Sequence, residues 1–180
     1  MHLNKRIYSF VKRKRPDAQE GRAPMTLDTQ TRTKDCICLA VRQAARHVTQ
    51  TFDQFLAPAG LRTTQFSILA KLNRKGTMTI NALADDLVMD RTTLGRNILP
   101  LKRDGLIAIE PMASDRRSKE LRLTKAGDKR FQAAREGWIK AQTRFESAFG
   151  SKRTTELREL LRAVVASEFA DPASRDRATT

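Results

Sequence analysis

The chain has little of what an enzyme, a metal centre or a disulfide scaffold needs. Its 180 residues include two cysteines, two histidines, one tryptophan and one tyrosine. Cys36 and Cys38 stand two apart, a spacing that gives neither a disulfide framework nor the four ligands of a structural zinc. His2 and His47 are the only histidines. There is no glycine-rich phosphate loop, nucleophile elbow or His-Glu-x-x-His pair. No catalytic residue, metal ligand or cofactor is assigned, and the chain is not read as an enzyme. No apolar run nears the roughly 18 residues of a membrane span, and no charged-then-apolar leader is visible. The expectation is a cytoplasmic protein without a membrane partner.

Positive charge is what the sequence has in excess. Lys and Arg number 35 against 20 Asp and Glu, a formal net charge of +15, with a sequence pI near 10.7. Polyanion binding is the first expectation, with a merely solvated basic surface as the plain alternative. At 39% hydrophobic residues a chain of this length can bury one respectable core.

Residues 1–30 read as a basic disordered arm or as a gene-call extension upstream of Met25. Its first 24 residues carry Lys5, Arg6, Lys12, Arg13, Lys14, Arg15 and Arg22 against Asp17 and Glu20, broken by Pro16 and Pro24. Like-charged blocks with few large apolar residues stay unfolded and often touch nucleic acid. Residues 31–170 form the folded domain, and 171–180 a polar tail.

Within the domain, Ile37, Val41, Ala44, Val48, Phe52 and Phe55 recur at threes and fours, which predicts a long first helix over about 33–57. Its apolar face is expected to bury Cys38. Thr63 or Thr64 is placed to cap a second helix that ends at Gly76, and Thr77 to Thr79 can form a brief strand. Asn81 to Leu87 makes a short helix, Val88-Met89 a turn, and Asp90 an N-cap for a further helix beginning Arg91-Thr92-Thr93-Leu94-Gly95-Arg96-Asn97. The pair reads as a helix-turn-helix. Leu94, Ile98 and Leu101 form its apolar side, Thr92, Thr93, Arg96 and Asn97 its polar side, and Pro100 removes one backbone donor. Strands at Leu106–Glu110 and Glu120–Leu123 then close a hairpin whose tip carries Asp115, Arg116 and Arg117. Thr124 caps a long helix over about 125–149, and Thr154 or Thr155 a last one over about 154–169.

The order helix, helix, helix-turn-helix, wing and two long helices is similar to that of the multiple antibiotic resistance regulator (MarR) family. The likeness rests on Leu83-Ala84, on Asp90-Arg91-Thr92-Thr93-Leu94, on Leu101-Lys102-Arg103-Asp104-Gly105-Leu106-Ile107, and on Asp115-Arg116-Arg117 through Leu123-Thr124 to Gly127. It covers Asp35 to Phe169. The resemblance implies a mainly α fold with a small β-wing: a DNA-binding winged helix-turn-helix over about 63–124 and a helical dimerisation region from the first and last two long helices. It implies a homodimer on pseudo-palindromic double-stranded DNA. Thr92, Thr93, Arg96 and Asn97 would meet the major groove, and Arg117 the minor groove, with Asp115 steadying the hairpin; Arg91 and Arg116 are further DNA-binding residues. A small aromatic or phenolic acid effector would lie near Arg46, His47, Gln65 and Phe66. Cys38 falls where the hydroperoxide-sensing branch has its reactive thiol, but Arg42, Phe52 and Thr63 stand where that branch has tyrosines.

The leading expectation is therefore a sequence-specific transcription regulator, a repressor released by a small ligand. A thiol-based redox sensor using Cys38 is the alternative on the same scaffold. Nonspecific nucleic-acid packaging or RNA binding is the alternative of another class. If the basic arm only neutralises phosphates, deleting residues 1–24 flattens the salt dependence of DNA binding and leaves sequence preference intact. An unchanged slope in a salt titration contradicts a DNA-contacting arm.

Overall fold

The computed structural model describes residues 35–112 and 119–167. The chain divides after Ala40. In the first unit the described residues carry Cys36, Cys38, Ile37 and Leu39, all exposed. The second unit contains the remaining elements.

Helix α1 (Ile37–Leu56) carries the expected apolar stripe, but only its end is covered. Phe52 and Leu56 are buried, whereas Val41 and Ala44 are exposed. The expected burial of Cys38 is likewise not met: both thiols are exposed. Helical periodicity reports that a face is apolar and says nothing of what lies against it.

Helix α2 (Thr63–Lys75) starts differently from the sequence expectation. Neither Thr63 nor Thr64 caps it. Arg62 is the N-cap, its N–H donating to Gln65 Oε1 at 2.9 Å. Thr63 donates both its N–H and its hydroxyl to Asp53 Oδ1 on α1, each at 2.7 Å. An acceptor supplied from a neighbouring helix satisfies a free first-turn donor as well as a local cap does.

Strand β1 (Met78–Thr79) leads into α3 (Ile80–Asp86), where Thr79 accepts from Ala82 N–H. Helix α4 (Arg91–Arg103) follows a turn in which Val88 adopts φ 52°, a left-handed conformation that disfavours β-branched residues. Strands β2 (Ile107–Pro111) and β3 (Lys119–Leu123) complete an antiparallel sheet of order β1-β3-β2. The register pairs Ile107 with Leu123 and Ile109 with Leu121, which places these four apolar residues on one face. Leu121 is fully buried there with Leu69, Leu83, Leu94 and Leu101.

Helix α5 (Lys125–Phe149) is capped by Thr124, as its sequence indicates. Phe131 and Trp138 on α5 meet Phe66 of α2 at ring separations of 5.3 and 6.1 Å. Helix α6 (Ser151–Ala166) is not capped by Thr154 or Thr155: Gly150 is its N-cap. Thr154 is buried and donates its hydroxyl to the Gly150 carbonyl at 2.9 Å. Leu160, Leu161, Val164 and Val165 on α6 remain exposed.

Gly127 is buried in the first turn of α5, and a Cβ there would collide with the Leu106 carbonyl oxygen. Gly127→Ala must push α5 from the start of β2. The expected cost is roughly 1–3 kcal/mol, the usual range for overpacking. It is read as a lower urea midpoint at unchanged slope; a wild-type midpoint contradicts the close approach.

Candidate nucleic-acid interface

Helix α4 is fixed at its start and from beneath. At its start Asp90 Oδ1 accepts from Thr93 N–H at 2.8 Å. Hydrogen bonds from the Thr93 side chain and N–H hold the Asp90 carboxyl below its ordinary range. Leu94, Ile98 and Leu101 seat the helix in the core. The turn before it is closed by Met89 N–H to the Ala84 carbonyl at 2.9 Å.

This seating leaves Arg91, Thr92, Thr93 and Arg96 exposed, as an outward-reading helix requires. Asn97 differs from them. It is half-buried, and its Nδ2 donates to the Thr93 carbonyl at 2.8 Å. Lys102, Arg103 and Leu99 also lie exposed on α4. Leu99 and Arg103 follow Arg96 at helical spacing of three and seven, the signal in the sequence that puts them on its face. The helix holds four cations and no carboxylate, an arrangement suited to a polyanion.

At the wing, Arg122 reaches Glu110 Oε1 through Nη2 at 2.7 Å and Nε at 3.2 Å. The pairing lowers the Glu110 carboxyl and raises the Arg122 guanidinium relative to their usual values. Asp115, Arg116 and Arg117 lie outside the described residues.

The four ligand candidates are not a ready-made site in the single chain. Arg46 and His47 are exposed on α1. Gln65 uses its carbonyl oxygen in the start of α2, and Phe66 is packed between Phe131 and Trp138. An open hollow lies elsewhere, between the end of α2 and the start of α5, lined by Asn73, Thr124, Lys125, Asp128 and Lys129. Among the described residues no group of His, Cys, Asp or Glu is placed to hold a metal, and no helix is long and apolar enough to cross a membrane.

A short helix, a tight turn, an outward polar helix and an antiparallel hairpin define a winged helix-turn-helix. The comparisons with known proteins agree. The MarR family model matches residues 61–119. The solved structure of the Mycobacterium tuberculosis transcriptional regulator MosR in complex with DNA is 34% identical; the match covers 74% of this chain and 99% of that one, at a TM-score of 0.64. A probable transcriptional regulator from Pseudomonas aeruginosa is 25% identical, with 74% and 99% covered and a TM-score of 0.67. The transcriptional activatory protein BadR of Rhodopseudomonas palustris is 33% identical over 88 residues, 47% of this chain, and the match spans only half of BadR's length. The chain belongs to the MarR family of transcription regulators.

An ion-pair bridge ties α3 of the helix-turn-helix to α2. Asp86 meets Lys71 and Lys75, each at 2.8 Å. Hydrogen bonds from Lys71, then Lys75, lower its carboxyl from 3.8 to about 2. A lowered carboxylate stabilises the fold above its unfolded value, and that contribution is lost as pH falls towards the folded one. Thermal melts from about pH 5 down to pH 2 should show wild-type stability falling over this window, with a shallower fall for Asp86→Asn. Parallel acid limbs contradict the bridge.

Proposed function

We propose that this protein is a sequence-specific regulator that binds duplex DNA as a homodimer, each copy offering α4 to one major groove and its wing to the adjacent minor groove. The carboxylate-free outward face of α4, on which Arg91, Thr92, Thr93 and Arg96 are exposed, carries the reading. In the groove an arginine can pair bidentately with guanine and threonine can take either edge. Asn97 has a free amide oxygen but contributes at the margin of this face. Arg117 reaches the minor groove and Asp115 steadies the hairpin, with Arg116 a further DNA contact, following the family likeness. The DNA bound by MosR supports this reading.

Association of two copies is supported by the exposed apolar side chains of Phe149, Leu160, Leu161, Val164 and Val165, a surface that water penalises and a partner helix would cover. The regulator acts as a repressor released by a small aromatic or phenolic acid near Arg46, His47, Gln65 and Phe66, sites that pairing of two copies would have to complete. The thiol-based mechanism is the second reading, favoured by the exposure of Cys36 and Cys38. Loss of binding on mild peroxide treatment, abolished in Cys38→Ser, selects it over the ligand.

Selection of bound sequences from random duplexes tests the whole reading. A recovered palindrome supports it, and sequence-blind binding favours nucleic-acid packaging. On the recovered site Arg96→Ala is expected to cost roughly 1–3 kcal/mol and to relax one base pair per half-site. Arg117→Ala is expected to weaken all sequences more evenly. Affinities for single-base variants decide: selectivity lost with Arg117 and kept without Arg96 reverses the two roles.

A further inference from the structure

We propose that Leu99 reads a thymine methyl group, so that this chain's operator specificity includes an apolar contact beside its arginine contact. The inference rests on the proposed entry of α4 into the major groove. Leu99 is 64% exposed, far more than any other large apolar side chain of that helix: Leu94, Ile98 and Leu101 are all at 2% or less. At about 100° per residue, Thr92, Arg96, Leu99 and Arg103 follow one another at intervals of four, three and four along a single strip. That strip lies roughly opposite the buried one formed by Leu94, Ile98 and Leu101.

A solitary exposed leucine is ordinarily unremarkable on a protein surface. This one stands on the face that meets the polyanion, between two exposed arginines, on a helix without a carboxylate. Arg96 and Arg103 suit phosphates and guanine edges, and Leu99 suits neither. In the major groove the apolar feature available to it is the C5 methyl of thymine. Arg103 also meets Asp104, Nε to Oδ1 at 3.1 Å. The position one turn beyond Arg96 places the contact deeper along the helix than the Arg91 to Arg96 readers, so the methyl belongs to a base pair next to the one Arg96 reads.

The test uses the duplex that the full-length protein selects. Each thymine is replaced in turn by deoxyuridine, which lacks only the methyl group. The expected result is one thymine in each half-site at which the wild type loses about four-fold in affinity, the value of one buried methyl. Leu99→Ala should bind the thymine and uracil duplexes equally while keeping the base preference that depends on Arg96. Leu99→Met should restore the difference. The proposal is overturned if no uracil substitution weakens the wild type, or if Leu99→Ala shows the same loss as the wild type. Sequence-blind binding by the wild type overturns the groove-reading itself, a result distinguishable from selective binding that is indifferent to methyl groups.

Discussion

The Thr124 hydroxyl accepts from Gly127 N–H at 2.9 Å and donates towards the carbonyls of Gly105 at 2.7 Å and Leu106 at 3.1 Å, while Thr124 N–H donates to Leu106 oxygen at 3.1 Å. Leu106 N–H in turn reaches the Leu101 carbonyl at 2.8 Å. One threonine therefore joins the end of α4, the start of β2, the end of β3 and the first turn of α5. These bonds anchor the base of the wing hairpin to the start of α5, beside the pairing of β3 with β1. Gly127 is the counterpart of that contact, because only a residue without Cβ lets α5 come this close to Leu106. The direction of α4 and the direction of the wing are thus not independent.

From that joint outward, the molecule separates two kinds of surface. The helix-turn-helix buries its leucines and presents arginine and threonine, while α6 presents leucine and valine to solvent. Each surface is unsatisfied in the single chain, the first for negative charge and the second for apolar cover. Asp86 of α3 between Lys71 and Lys75 of α2, and Asp53 of α1 at Thr63 of α2, are the polar ties that fix helix against helix.

Much of this architecture was legible in the sequence where the signal is local. Asp90 and Thr124 cap the helices they precede, and the spacing of Leu94, Ile98 and Leu101 names the buried side of α4. The helix-turn-helix and both wing strands stand where alternation and turn residues put them, within a residue or so. Signals that depend on a distant partner were not legible. Thr63 looked like a cap, but Asp53 ten residues earlier takes its donors, and Gln65, read towards a ligand, closes the turn at Arg62. Thr154 looked like a cap and proved a buried residue bonded to Gly150. The apolar stripe of α1 suggested burial of Cys38, because periodicity cannot say whether the cover comes from the same chain. Asn97 is polar by type, yet its amide is turned back onto its own helix.

The central claim is that two copies of α4 enter successive major grooves on one side of a duplex. Hydroxyl-radical footprinting of the full-length protein on its selected operator addresses that claim directly. The account predicts two symmetric protected patches on one face of the duplex, centred about one helical turn apart. Protection that runs unbroken along both strands, or a single patch without symmetry, would contradict it.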